Sequence, residues 1–281
     1  MGLNILLFPH AGRDNNFRIT NRVADMARRA GCNPVIIKTS NTDGTETPFP
    51  PVEEMKSDVS IIIVFGGDGT ILRAARQTLG SDVPIIGVNL GGTGFLTEIE
   101  VDEIESTIPD VLAGRYTVQS RMMLDVEIVR GGEAILMDSA LNDVIIRGQG
   151  KTIELAVSGD GNRIMGYVGD GLIVATPTGS TGYSMSAGGP IVEPSARNIL
   201  VTPVSAHLLM TKPFVLDSER LVTVEILPEK LNPAYVSVDG NEYTRVFSGD
   251  SITIKESDRE VRFAHIKGRN FYKRVSEKLG R

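Results

Sequence analysis

A chain of 281 residues has room for about two domains and a sizeable core. Hydrophobic residues at 41% and charged residues at 23% are the composition of a soluble globular protein, and a net charge of −6 argues against a general nucleic-acid binder, which would carry basic patches. That charge still permits an anionic nucleotide held by backbone amides, helix N-termini and Mg2+.

Cys32 is the only cysteine, so an intrachain disulfide or a cysteine-based metal site is excluded and a reducing, cytoplasmic setting fits. The first apolar run, Leu3–Phe8, is short and lacks the charged leader of a signal peptide. Met1-Gly2 does not continue into the myristoylation pattern, because position 6 is Leu. No apolar run approaches the ~20 residues that span a bilayer, so no membrane partner is expected.

In chain order, residues 3–8 read as a first strand ending at Pro9-His10-Ala11-Gly12. A helix is expected over about 15–30, with Val23, Met26 and Ala30 on its buried face and Gly31 as its stop. Residues 34–38 form a second strand, and 39–57, rich in Thr, Pro, Glu and Asp, read as a mobile surface loop. The β-branched run Val59–Val64 predicts a strand buried on both faces. It enters Gly66-Gly67-Asp68-Gly69-Thr70, and Ile71–Arg76 resumes with helical propensity to about Gly80. A fourth strand over 83–88 leads into the glycine-rich turn 91–94, and a helix over about 102–113 stops at Gly114. Strand–helix alternation of this kind predicts a parallel, doubly wound α/β domain.

After about residue 118 the period changes to two. Leu124, Val126 and Ile128 alternate with charged residues, as do Ile153, Leu155 and Val157, and then Val222, Val224 and Ile226. An all-β, antiparallel C-terminal domain is therefore expected. Ser158-Gly159-Asp160-Gly161-Asn162 lies between two such runs and reads as a hairpin turn. The final stretch, 271–279, is a short amphipathic helix with Phe271, Val275 and Leu279 on one face.

Chemistry concentrates where Asp68 meets its glycines. In a parallel α/β sheet, ligands bind at the carboxyl ends of strands, and glycines let phosphates approach backbone N–H groups. An ordinary Asp-Gly turn needs one glycine, whereas Gly66, Gly67 and Gly69 all flank this carboxylate. A second glycine-rich stretch, 169–190, joins Asp170 to a short strand and a loop of hydroxyl residues around Tyr183, suited to phosphate, ribose and base stacking. Asn142-Asp143 adjoins a strand, where either residue caps a turn or binds a ligand. Lys151 is a loop lysine or a phosphate partner. The histidines His10, His207 and His265 are scattered, with no zinc spacing. Neither a Gly-x-x-x-x-Gly-Lys-Ser/Thr loop nor a Gly-x-Ser-x-Gly elbow is present, which excludes a P-loop kinase and suggests no serine triad.

Together these motifs resemble the NAD kinase family. Gly66-Gly67-Asp68-Gly69-Thr70 resembles the signature that family shares with diacylglycerol, sphingosine and 6-phosphofructokinases. Residues 169–190, Asn142-Asp143, the run ending at Leu96, Val238-Asp239-Gly240 and the terminal Phe-Tyr-x-Arg-x-x-x-Lys-Leu-Gly resemble NAD kinases in particular, and the likeness spans nearly the whole chain. It implies an α/β domain over 1–117, rejoined by a C-terminal helix at about 265–281, and a β-rich domain over 118–264 that forms most of the NAD pocket.

The resemblance also implies phosphorylation of NAD at the 2′-hydroxyl of its adenosine ribose, with ATP or polyphosphate as donor and Mg2+ as the accompanying metal. Asp68 then matches the proton acceptor, with organisation of the metal as its alternative role. Gly67, Gly69, Thr70 and Leu72 fall beside the dinucleotide, and Phe95 near the adenine. Asn142 and Asp143 match an Asn–Glu pair on the adenosine part. Lys151, Asp170, Thr178, Thr181, Gly182, Tyr183, Ser184, Ser186 and Asn241 complete the pocket. Three positions depart from the family pattern: Asp143 stands for the usual Glu, Gly182 for a commoner Ala, and Asn241 for Gln. A homodimer or homotetramer is expected on the same basis. The rival readings are a diacylglycerol- or sphingosine-type kinase and a non-catalytic NAD(P)-binding sensor.

Overall fold

The computed structural model describes residues 3–37, 59–92, 94–207, 211–227, 234–241, 244–266 and 271–280. The loop expected over 39–57 lies outside them. The chain divides into two units, Met1–Ser120 with Val261–Arg281, and Arg121–Glu260.

In the first unit, β1 (Asn4–Pro9), β2 (Asn33–Ile36), β3 (Val59–Gly66) and β4 (Ile85–Asn89) run parallel in the order β2-β1-β3-β4. A two-residue strand, β5 (Ile99–Glu100), joins β4. The helices are α1 (Arg18–Arg29), α2 (Asp68–Gln77) and α3 (Ile104–Leu112). Ile19, Val23 and Met26 of α1 and Ile104, Ile108 and Val111 of α3 share a core with Ile5, Leu7, Ile61, Ile63 and Phe65. The intervening strand residues face the other way, towards α2. There Ile71 is fully buried and sits so close to β4 that a Cβ added at Gly87 would lie 2.4 Å from its Cδ1. Helices on both faces explain why Ile61 to Phe65 are at most 2% exposed and why β3 reads as an unbroken apolar run. The chain steps outward from β1 to β2 and then returns to β3 on the opposite side of β1. That reversal separates the loops after β1 and β3 and opens a crevice at the strands' carboxyl ends.

The second unit is built from β6 (Thr117–Arg130), β7 (Glu133–Ala140), β8 (Asp143–Gly148), β9 (Ile153–Gly159), β10 (Asn162–Gly169), β11 (Gly171–Ala175), β12 (Asn198–Val204), β13 (Phe214–Asp217), β14 (Val222–Ile226), β15 (Ala234–Val238), β16 (Thr244–Val246) and β17 (Ser251–His265). In sequence, β6 and β17 straddle the boundaries between the units. One antiparallel sheet has the order β13-β12-β11-β8-β15-β16. Further antiparallel ladders join β10-β9-β14-β17 and β6-β7. The residues that alternate in the sequence, Leu124, Val126, Ile128, Ile153, Leu155, Val157, Val222, Val224 and Ile226, meet in one core with Val144, Ile146, Leu172 and Val174. The β9–β10 hairpin turns through Asp160 (φ +49°) and Gly161 (φ +77°), two consecutive positive-φ residues of the kind that suits strand twist.

The chain ends in α4 (Phe271–Leu279), which belongs to the first unit. Its partly buried residues are Phe271, Arg274, Val275 and Lys278, whereas Leu279 is 42% exposed. The inward face is thus rotated from the expected Phe271–Val275–Leu279 stripe and carries two cations. Among the described residues no helix is long and apolar enough to cross a membrane.

The burial pattern separates two isoleucines sharply. Ile63→Ala in β3 is expected to lower unfolding stability by about 2–5 kcal/mol through the cavity left between two helical layers. Ile135→Ala in β7, where the side chain is 38% exposed, is expected to change it by under ~0.5 kcal/mol. Equal shifts in urea midpoint for the two variants would contradict the layered core.

Candidate active site

In the first unit, β3 ends at Gly66, Gly67 caps α2, and Asp68 is the first residue of that helix. A carboxylate in the first helical turn is favoured by the unpaired N–H groups and the positive end of the helix dipole. The helix therefore begins three residues earlier than the propensity of Ile71–Arg76 suggested. Both carboxylate oxygens of Asp68 are held by the loop after β4. The Phe95 N–H donates to Oδ2 at 2.8 Å, and the Leu96 N–H donates to Oδ1 at 3.0 Å. This seating needs a glycine at 94, since a Cβ there would stand 2.9 Å from Asp68 Oδ1 and 2.5 Å from Thr97 Oγ1.

The loop is organised from beneath. The Asn89 side-chain amide donates to the Gly92 carbonyl at 3.2 Å and to the Glu100 carboxylate at 3.0 and 3.1 Å. Its oxygen accepts from the Gly91 N–H at 3.1 Å. Arg13, in the loop after β1, donates to the Gly91 carbonyl at 2.8 Å. The same β1 loop is anchored by buried Asp14, which accepts from the N–H groups of Ile19 and Thr20 and from the Thr20 hydroxyl at 2.6–2.9 Å.

These loops line a cavity of about 330 Å³ containing Asp68, Gly67, Gly69, Thr70, Gly91, Gly92 and Gly94 together with His10, Arg13 and Arg73. One carboxylate thus faces a cavity lined by Arg13, Arg73 and a helix N-terminus, a setting suited to a polyanion. Leu72 is half-buried on α2, and Phe95 is half-buried with its ring 5.5 Å below the Lys278 Nζ. Nothing in the local sequence marks Arg13 or Arg73, because topology brings them to the cavity from loops and helix faces.

In the second unit, Asp143 opens β8 and Asn142 immediately precedes it. The Asp239 carboxylate accepts from three successive N–H groups, Leu141 at 2.8 Å, Asn142 at 2.7 Å and Asp143 at 3.1 Å. In return the Asp239 N–H donates to the Asp143 carbonyl at 3.0 Å. Asp239 reaches this position from the turn after β15, where it adopts φ +49°. On the other side of β8, Thr176 donates its N–H to the Asn142 carbonyl at 2.9 Å and its hydroxyl to the Leu141 carbonyl at 2.5 Å. Gly179 passes so near that a Cβ would lie 2.1 Å from the Asn142 carbonyl oxygen, so only glycine fits. The segment of hydroxyl residues after β11 is not a plain loop. It forms a 3-10 turn over Thr178–Thr181 and a single helical turn over Tyr183–Ser186.

Two buried polar atoms here, Asn142 Oδ1 and Thr178 Oγ1, lack a hydrogen-bond partner among the described residues. Asp143 is 5% exposed, and burial, followed by the neighbouring Asp239 charge, pushes its carboxyl up to about 7. Gly182 faces the pair: an added Cβ would stand 3.6 Å from Asn142 Nδ2 and 3.9 Å from Asp143 Oδ2. Thr181 bonds back to the Thr178 carbonyl at 3.3 Å, and Tyr183 is 36% exposed. The Ser184 hydroxyl is fully buried and shares a 2.9 Å hydrogen bond with that of Thr202. Lys151, Asp170, Ser186 and Asn241 are exposed, and among the described residues none hydrogen-bonds through its side chain to Asn142 or Asp143. The Asn241 side-chain amide closes its own turn on the Val238 carbonyl at 3.0 Å. Asp239 itself was visible in the sequence only as part of Val238-Asp239-Gly240, with no sign of its threefold grip.

Two family models cover most of the chain: the ATP-NAD kinase N-terminal domain over residues 16–116 and the ATP-NAD kinase C-terminal domain over residues 141–266. The chain is 38% identical to an NAD kinase of Natranaerobius thermophilus over 279 residues, covering 97% of this chain and 96% of that protein. It is 36% identical to an NAD kinase of Lachnoclostridium phytofermentans over 275 residues, covering 95% of each. Among solved structures, an NAD kinase from Archaeoglobus fulgidus in complex with ATP superposes with a TM-score of 0.77 at 25% identity, covering 99% of both chains. Yeast NADH kinase complexed with NADH shares the fold, with a TM-score of 0.85 at 21% identity over 99% of this chain and 88% of that one. Matched along both units, with a strand-end carboxylate over a cationic cavity in one and a firmly pinned Asn–Asp pair in the other, the chain belongs to the ATP-NAD kinase family.

Proposed function

We infer that this chain phosphorylates NAD with ATP to give NADP, the transfer taking place at the 2′-hydroxyl of the adenosine ribose. The observation that carries the reading is the seating of Asp68, held by two backbone N–H groups at the edge of a cavity that also contains Arg13 and Arg73. A ribose hydroxyl is a weak nucleophile, so a carboxylate within hydrogen-bond reach is the chemistry it requires. As the 2′-oxygen forms its bond to the γ-phosphorus, Asp68 accepts the hydroxyl proton. The bond from phosphorus to the β,γ-bridging oxygen breaks, and ADP leaves with that electron pair. Arg13, Arg73 and the N-terminus of α2 supply positive charge for the phosphate oxygens.

Among the described residues no three His, Cys, Asp or Glu side chains converge as a metal cage. On the family resemblance, Mg2+ would accompany ATP and would supply charge neutralisation for its phosphates. The second unit is assigned the dinucleotide. Its support is the pair of unpartnered polar atoms, Asn142 Oδ1 and Thr178 Oγ1, beside a buried carboxyl. Thr181, Gly182, Tyr183, Ser186, Asp170, Lys151 and Asn241 belong to the same assignment, with Ser184 supporting the helical turn from inside. Self-association as a homodimer or homotetramer is supported by the sheet-edge strand β13, whose Phe214 and Val215 are 41% and 51% exposed. A cytoplasmic setting is supported by the single cysteine.

The deciding experiment incubates purified protein with NAD and Mg2+, offers ATP or polyphosphate, and measures NADP. Product with ATP is expected, and none with either donor would sink the reading. Dinucleotide binding without product would instead identify a sensor. Asp68→Asn is expected to keep NAD binding and lose roughly 10²–10⁴-fold in kcat. Recovery of its kcat at high Mg2+ would assign Asp68 to the metal in place of the proton.

The Asp143 carboxyl adds a pH dependence. Only the ionised form accepts hydrogen bonds from sugar hydroxyls with both oxygens. With its carboxyl at about 7, KM for NAD should rise as pH falls below 7, by at most about tenfold per pH unit, and level off above it. Asp143→Asn should flatten that limb in steady-state assays. An unchanged limb in the variant would remove Asp143 from substrate binding.

A further inference from the structure

The terminal Phe-Tyr-x-Arg-x-x-x-Lys segment has no part in the chemistry described so far, yet its helix reaches the loop that holds Asp68. One guanidinium nitrogen of Arg274 donates to the Phe95 carbonyl at 2.8 Å. The other donates to the carboxylate of Glu98, which is 4% exposed. Glu98 also accepts from the Ile266 N–H at 3.1 Å and lies 3.5 Å from His265 Nδ1. Burial pushes the Glu98 carboxyl up, but the hydrogen bonds and charges of His265 and Arg274 outweigh it and hold it below its ordinary value. Glu98 therefore stays ionised and gives Arg274 a fixed anchor. One turn further along α4, Lys278 lies over the Phe95 ring.

The Phe95 carbonyl and the Leu96 N–H belong to one planar peptide unit. A donor that fixes the oxygen therefore fixes the direction of the hydrogen on the opposite side. That hydrogen points to Asp68 Oδ1, which lies 3.0 Å from the Leu96 nitrogen. A carbonyl that accepts a charged hydrogen bond also polarises its own N–H and strengthens it as a donor. The planar fork of arginine suits this dual grip on a carbonyl and a carboxylate, which a lysine ammonium satisfies less well.

From this geometry we propose that Arg274 is a positioning residue for the phosphoryl transfer: through the Phe95–Leu96 peptide it sets the orientation of the Asp68 carboxylate. The proposal rests on the reading of Asp68 as the proton acceptor. It makes the last helix part of the catalytic machinery and not merely a closing clip.

The test is a double-mutant cycle between Asp68→Asn and Arg274→Gln in the full-length protein, with kcat and both KM values measured and folding checked by thermal unfolding. Arg274→Gln is expected to lower kcat roughly 10- to 100-fold, the scale of a misplaced catalytic group, while KM for NAD and ATP moves less than about twofold. In the Asp68→Asn background the same change should have no further effect on kcat, because there is no acceptor left to orient. Arg274→Lys, which keeps a charge against Glu98, should fall between, and it replaces the Gln variant in the cycle if that one does not fold. Wild-type kcat in Arg274→Gln, a loss confined to KM, or an additive loss in the double variant would each overturn the proposal. Full turnover in Asp68→Asn alone would overturn the reading of Asp68, a separate and earlier failure.

Discussion

The first unit depends on how one carboxylate is satisfied where the strands end. A carboxylate drawn partly out of water needs hydrogen bonds to replace its lost hydration. Asp68 obtains them from two consecutive N–H groups, those of Phe95 and Leu96. That single requirement accounts for several features that otherwise look unrelated. Residue 94 must be glycine for the loop to approach. Asn89 must tie the start of the loop to Glu100, so that it presents its amides rather than its carbonyls. The carboxylate must start α2, where the helix N-terminus tolerates negative charge.

The second unit uses a carboxylate differently. Asp239 spends its oxygens on three successive N–H groups and thereby fixes the backbone that carries Asn142 and Asp143. Its charge is near enough to Asp143 to join burial in raising that carboxyl. Asp239 thus both fixes the backbone and adds to the shift that burial of Asp143 begins. Thr176 and Gly179 complete the fixation from the neighbouring strand β11 and the turn that follows it. Polar atoms left unpartnered in so constrained a place are suited to a ligand, since a flexible site would have closed on itself.

Much of the architecture was legible in the chain. The unbroken β-branched run of β3 announced burial on both faces, and the period-two runs of β6, β9 and β14 announced the antiparallel unit. The glycines around Asp68 announced a turn from strand into helix. Reading failed where neighbours in space decide. Leu279 completes an apolar stripe on paper, but α4 turns Arg274 and Lys278 inward because a buried Glu98 and an aromatic ring await them. The hydroxyl-rich stretch after β11 coils into two short turns, since buried Ser184 and Thr202 pair there.

By itself the sequence determined the class of each unit, the place of a carboxylate at a strand end and, by resemblance, the family. Those properties are carried by local periodicity, by turn residues and by short contiguous motifs. The tertiary structure decided which groups stand around that carboxylate and around the Asn–Asp pair. The bonds concerned link residues 27 apart for Asp68 and Phe95, 97 apart for Asp239 and Asn142, and 179 apart for Arg274 and Phe95. No local pattern encodes a partner at such a distance, because it is chosen by chain reversal and packing. The carboxylate was written in one short stretch, and the partners that hold it only in the folded whole.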